Sequence, residues 1–525
     1  MKTANKLKKA LAVFLVTLLA LTPLSLLSFA ADSIDLSNAT YYTFSDTNNA
    51  LTIKSAGTYV VSGTCSNGTI VVKKNVTGVT LVLNGLTLAA SATAPITCNK
   101  GSGVTIYAAA GTTNNLSDDQ YNNDDVYTDE TLYPDIENAV IKCKDGSKVT
   151  ICGTGTINVN AYGKNGIKGG ADLFEEDADG NATTTLLSAA SLTIQDVTLN
   201  VTIKHSYKDP EDASAYDGDA IKAEKELNIL SGTVTVSAND DGIKCDYTLN
   251  IGAEGTTGPT IKVTKAAEGI EGAVVNVYSG NVYVNATDDG INAANGDIAE
   301  RSADFQYNQY GGYVYINVTN GDGLDSNGSA TLAGGTLEVY APSQGDGDPI
   351  DTEYGCTLSG ATVLAVGHAM MQQSYSATTP YVTFGGASGG FGGMFGGNSG
   401  SNLVSANSTL MIRDASGNTV YTAKASAPRA ASYVLFSSPS LTNGSNYTLY
   451  NGSTSVSTAT ASTAASGGMG GPGQGGQPGQ GNHGNQGGFG GSTDSTASGS
   501  SFFSFFSNIF QRILAFFRSL FGLNG

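Results

Sequence analysis

Six acidic residues, Asp219, Asp241, Glu268, Asp289, Asp322 and Asp348, each stand two places ahead of an isoleucine or leucine in a recurring short segment. Asp240 and Asp288 double two of them, and Asp325 and Asp351 follow the aliphatic residue in the last two segments. The densest groups are Asp219, Asp240, Asp241 and Glu268, then Asp288, Asp289, Asp322 and Asp325, then Asp348 with Asp351. Such groups suit a hard divalent cation: Ca²⁺ takes about six to eight oxygens from carboxylates, carbonyls and water. The plainer reading is that Asp-Gly makes the turn into each strand while the carboxylate caps backbone amides. That reading explains the doubled aspartates poorly. The run from Glu175 to Gly180 resembles half a calcium loop without the glutamate expected at its twelfth place, and reads as a solvated acidic loop.

A repeat must hold these groups in line. Aligning Ile141, Ile167, Ile221, Ile243, Ile270, Ile291, Leu324 and Ile350 superposes NAVIKC, KNGIKG, GDAIKA, DDGIKC, AEGIEG, DDGINA, GDGLDS and GDPIDT. Most spacings fall between 21 and 27 residues, and the two longer ones carry insertions, at 171–189 or 205–216 and at 294–311. Short alternating apolar runs fill the gaps. Three short strands in such a period indicate a parallel β-helix rather than a sandwich or a propeller. The expected fold is therefore all-β, a right-handed single-stranded parallel β-helix, with the hand taken from general crossover preference.

Stacked parallel strands place equivalent residues about 4.8 Å apart. Two unit charges at that spacing repel by roughly 3–4 kcal/mol at an effective dielectric of 20. One place after the anchor run Lys142, Lys168, Lys222 and Lys244, then Glu271, Asn292, Asp325 and Asp351. The early lysines offset the acidic column, but no Lys or Arg lies between 302 and 412. The second half therefore calls for an external cation, and Ca²⁺ is the expected cofactor. Two places after the anchor the residues are small and point inward. Cys143 and Cys245 fall there, several repeats apart, as free buried thiols; pairing among the other four cysteines stays open.

A second column comes from the third strand of each repeat: Thr235, Lys262, Tyr283, Tyr315 and Glu338, flanked by Ser237, Thr264, Asn285, Asn317 and Tyr340. Tyr283, Tyr313, Tyr315 and Tyr340 beside Asn285 and Asn317 form an expected platform for sugar rings, since tyrosine joins a flat apolar face to a polar tip. Ordinary strand-surface tyrosine is the plainer reading, and the chain has no Trp.

Composition narrows the partners. The chain has 525 residues and a net charge of −19; the only charges in its first thirty residues are four lysines, so the remainder carries −23. Nucleic acid is excluded as a partner, because its phosphates would be repelled. Residues 1–30 read as a secretory signal peptide, with basic, apolar and small-residue segments in order, which implies a secreted, extracellular fate, with cell-surface association resting on the far end of the chain. Residues 32–465 form the β-helix, 466–500 a Gly/Gln/Ser-rich linker. Residues 501–525 hold eight of the 18 Phe and read as an amphipathic aromatic helix. Such a helix would contact a membrane surface or another protein.

The elements Asp135-Ile-Glu-Asn-Ala-Val-Ile, the repeated Asp-Gly-Ile-Lys, Leu324-Asp-Ser-Asn-Gly, Gly367-His-Ala-Met-Met-Gln and Val434-Leu-Phe-Ser-Ser-Pro-Ser-Leu before Tyr447-Thr-Leu-Tyr occur here in one order. In this the chain resembles, over roughly 33–452, the secreted clostridial carbohydrate-binding domain proteins, first described as cellulose- and pectin-binding β-helix proteins. The resemblance implies a right-handed parallel β-helix with bound calcium, akin to family 9 pectate lyases, and polysaccharide binding without demonstrated catalysis. The insertions at 171–189 and 205–216 and the aromatic tail depart from it. The expected function is non-catalytic, calcium-dependent binding of plant cell-wall polysaccharide, cellulose or polygalacturonate. Two alternatives stand beside it. One is a calcium-dependent lyase, in which Lys244, Lys262 or Lys265 would serve as the neutral base. The other is a structural or adhesin solenoid attached through its tail.

Overall fold

The computed structural model describes residues 34–465, except 178–180, 209–216, 297, 344–346, 369–374 and 386–401. The expected signal peptide, linker and C-terminal helix, and part of the 205–216 insertion, lie outside the described residues. Among the described residues every regular element is a strand, and 32 strands join one large, mostly parallel sheet.

Within that sheet a strand pairs with its equivalent one repeat later, which produces three parallel ladders. The first carries the aligned anchors as direct register partners. Ile141 pairs with Ile167, and the series continues through Ile221, Ile243, Ile270, Ile291 and Leu324 to Ile350. It also runs back through Ile96 and Ile70 to Leu51, positions that lack the acidic motif. Alternation along each short strand sends the aliphatic residues inward, and one continuous core fills the space between the ladders. Asparagines run along the second ladder as a hydrogen-bonded spine: Asn250 donates to Asn228 at 2.9 Å, Asn276 to Asn250 at 3.0 Å, and Asn308 to Asn276 at 3.1 Å.

All six cysteines are free. Gly169 and Ala223 stand between Cys143 and Cys245 in the inward column, whereas Cys98 is the direct neighbour of Cys143.

Two departures from a uniform solenoid matter. The acidic run at 175 belongs in part to an antiparallel hairpin of Leu173–Glu176 with Ala182–Ser188, so its start is strand rather than loop. After Ala377 the parallel pattern ends. Tyr433–Ser437 pairs antiparallel with both Thr362–Gly367 and Tyr381–Gly385. A four-stranded antiparallel sheet of Leu410–Asp414, Thr419–Thr422, Asn446–Asn451 and Thr454–Thr460 contributes to a second core. That core includes Tyr340, Leu364 and Val366, which point outward from the third ladder, so the added sheet covers this face.

Candidate functional site

Close stacking sets the acidic column. Glycine precedes the anchor in several segments because nothing larger fits. A Cβ on Gly290 would strike the Ile316 side chain and the Gly323 carbonyl; one on Gly323 would strike Val339 and the Pro349 carbonyl. The preceding carboxylates are thus held against the next repeat. Asp241 donates its amide to Asp219 Oδ1 at 3.3 Å, Asp322 to Asp289 Oδ1 at 2.7 Å, and Asp348 to Asp322 Oδ1. Amide capping is therefore present, and it coexists with convergence of the carboxylates.

Three groups converge among the described residues, each with carboxylate oxygens within 4.8 Å of one another: Asp219 with Asp240 and Asp241; Asp241 with Glu268 and Glu271; Asp322 with Asp325 and Asp351. Asp288, Asp289 and Asp348 lie outside these groups. Glu271 joins them although the sequence placed it in the lysine column rather than in a ligand set. Its signal was that same column, where acid first replaces lysine.

Lysine offsets part of the acid in the first half. Lys244 Nζ lies 3.0 Å from Asp241 Oδ2 and also pairs with Glu271, while Lys222 Nζ is 3.7 Å from Asp219. Burial, then the charges of Asp241 and Asp219, push the Asp240 carboxyl up to about 8. Burial, then Asp241 and Asp289, push Glu268 up to about 8 as well. Burial acts to lower Lys244, but Asp241 and Glu271 outweigh it and hold the ammonium protonated. Of the lysines offered as a neutral base, Lys244 is thus the one paired with two carboxylates. Lys262 and Lys265 are exposed, and Lys265 donates to Asn239 Oδ1 at 3.1 Å.

The second half differs. Burial pushes Asp322 and Asp325 each up to about 8, and the neighbouring charges that act on them, Asp289, Asp351 and their own column, are carboxylates. Burial also raises Asp289 to about 6, against the hydrogen bond from the Asp322 amide. Between the two halves, Asp241 Oδ1 and Asn292 Oδ1 are buried acceptors with no hydrogen-bond donor, while Asn292 Nδ2 donates to Glu268 Oε2 at 3.1 Å. Buried oxygens without donors are costly. The all-oxygen group of mutually repelling carboxylates formed by Asp322, Asp325 and Asp351 fits Ca²⁺.

The tyrosine column is in register as aligned: Lys262 with Tyr283, Tyr283 with Tyr315, Tyr315 with Glu338, and Asn285 with Asn317. Its later half is covered, which corrects the platform. Glu338 is fully buried and accepts from Tyr313 at 2.9 Å, Tyr421 at 2.6 Å and the Lys424 amide at 2.7 Å. The Tyr340 hydroxyl donates to the Ala425 carbonyl at 3.0 Å, and Lys424 Nζ sits 4.0 Å from the Tyr313 ring centroid. Tyr313 and Tyr340 are buried, and Arg429 binds Asn317 Oδ1 at 2.7 Å. Tyr283 and Asn285 stay accessible with Lys262 and Thr264, lining an open groove of about 470 Å³. Tyr315 is half-buried beside them.

Residues 47–184 match the family model described as carbohydrate-binding domain-containing protein, which bears out the family resemblance over that stretch. Among solved structures, the chain aligns with the polysaccharide lyase-like protein from C. thermocellum in its gadolinium derivative. The identity is 20%, the TM-score is 0.30, and the alignment covers 61% of this chain and 95% of that one. No curated protein matches the chain.

Proposed function

We propose that this protein is a non-catalytic, calcium-dependent binder of plant cell-wall polysaccharide, exported from the cell and built on a right-handed parallel β-helix. The observation that carries the calcium part is the convergence of Asp322, Asp325 and Asp351 in a stretch without Lys or Arg. Those three residues would hold the ion. Bound there, Ca²⁺ would neutralise the stacked carboxylates and offer coordination positions to the oxygens of an acidic glycan. The carbohydrate part rests on the family match over 47–184 and on the groove around Lys262 and Tyr283. A tyrosine face beside Asn and Thr suits a sugar ring.

Catalysis by elimination would need a neutral base at the metal. Lys244, beside the first carboxylate group, is held protonated by Asp241 and Glu271. With calcium supplied, no unsaturated product should appear in the ultraviolet. The deciding experiment is a pull-down on insoluble cellulose and on polygalacturonate, with and without a chelator. Retention that a chelator abolishes is expected on polygalacturonate. Retention indifferent to the chelator on both materials would refute the calcium role and leave the fold untouched.

A further inference from the structure

A second cleft, of about 600 Å³, opens where three neighbouring strands of the third ladder end: Thr113–Ser117, Thr156–Ala161 and Thr198–Ile203. Its walls include Tyr121, Tyr162, His205 and Tyr207, with Gln120 and Lys204 exposed at the rim. That volume lies within the range of about 300–1,000 Å³ usual for small-ligand sites.

The aromatic walls are braced before any ligand arrives. Tyr121 stacks on Tyr133 with ring centroids 5.6 Å apart and planes within 12°, and meets Tyr127 edge-on at 4.9 Å. His205 stacks on Tyr207 at 5.1 Å. The His205 ring is fixed at both nitrogens: Nε2 donates to the Lys164 carbonyl at 2.8 Å and Nδ1 accepts from the Tyr207 amide at 3.3 Å. Asp118 lies buried beneath, and its Oδ1 accepts the Tyr162 amide at 2.6 Å and the Gly163 amide at 3.2 Å. That carboxylate is a positioning residue for Tyr162, whose side chain is left 45% exposed.

We propose that this cleft is a second glycan site, distinct from the Lys262/Tyr283 groove, and that it takes a neutral polysaccharide chain. Ordered tyrosine faces suit the C–H faces of sugar rings, and the Gln120 and Lys204 rim suits their hydroxyls. Lys204 is the one lysine among the lining residues and stands against Asp118 and Asp119, so the cleft offers a polyuronate no net positive charge. Gln120, Tyr121 and Tyr162 lie inside the stretch 47–184, whereas the groove lies outside it. One ladder strand, Thr233–Ser237, separates the strands of the cleft from those of the groove, so both sites lie on one ladder. The inference rests on the reading of the chain as a carbohydrate binder.

The test titrates the full chain with cellohexaose and with an oligogalacturonate, comparing wild type, Tyr162→Ala and Gln120→Ala. Gln120 is an exposed rim residue whose loss leaves the core intact. The expected result is cellohexaose affinity weakened about tenfold by Tyr162→Ala and severalfold by Gln120→Ala, with oligogalacturonate affinity unchanged. Wild-type cellohexaose affinity in both variants overturns the cleft while sparing carbohydrate binding. An equal loss for oligogalacturonate overturns the neutral class. A wild-type chain that binds neither glycan overturns this inference together with the reading beneath it.

Discussion

Lys244 and Asp325 occupy one column of the first ladder, linked through Glu271 and Asn292 by direct register. They meet acidic neighbours with opposite charge. Around Lys244 the chain supplies its own cation, and two carboxylates close on it. Around Asp325 each neighbouring charge is negative and the carboxyls are driven up the pH scale. The same backbone repeat thus solves its repulsion internally in one half and, on our reading, by recruiting Ca²⁺ in the other. A ladder that keeps its anchors in register can therefore vary its chemistry one side chain per repeat.

The strongest way to break this contrast is to remove the metal and vary pH. Asp322 and Asp325 sit at about 8 when folded, above the 3.8 of an ordinary aspartate. Their contribution to stability is fully present below about pH 4 and is lost as pH rises through about 8. In chelator, the melting temperature should fall steadily from pH 5 to pH 9, and saturating calcium should flatten that decline. A pH-independent melt in chelator would show that Asp322 and Asp325 are not raised in the folded chain.

Lys244→Met should cost about 3 kcal/mol in denaturant unfolding, the low end for removing one partner of a buried pair, since its side chain is 24% exposed. Added calcium should recover part of that loss, because the variant turns the first half into a copy of the second. Asp325→Lys is the reciprocal change. Wild type at calcium one hundred times its dissociation constant should gain about 2.7 kcal/mol, and calorimetry should find that gain absent from the variant. Smallest is Tyr340→Phe, which removes a buried hydrogen bond to Ala425 and should cost about 1 kcal/mol by thermal unfolding. Glycan retention should be unchanged, as the side chain is covered.

The anchors from Ile141 to Ile350 were legible because an Asp or Gly, a tight turn and an inward aliphatic residue must recur together wherever repeats stack this closely. Leu51, Ile70 and Ile96 share the ladder without the acid, so no motif marked them. The column of Lys262, Tyr283, Tyr315 and Glu338 was aligned correctly, but alternation says only which face a side chain takes. Whether that face meets water depends on segments distant in sequence: Tyr421, Lys424 and Arg429 arrive from about one hundred residues on. Glu338 read as a surface carboxylate for the same reason. No pattern in the sequence marks Tyr121, Tyr127 and Tyr133, which sit in a loop outside the repeat, where spacing carries no information about proximity.

The strand Tyr433–Ser437 runs backwards against Thr362–Gly367 and so occupies the edge where the third ladder would otherwise continue. An open parallel edge is a template for another chain. With that edge taken by a strand of opposite direction, a second copy cannot extend this ladder in register, and repeats cannot be added there by association. The count of stacked carboxylates is then a property of the single chain, and the ladder is a ruler of fixed length rather than a growing fibre.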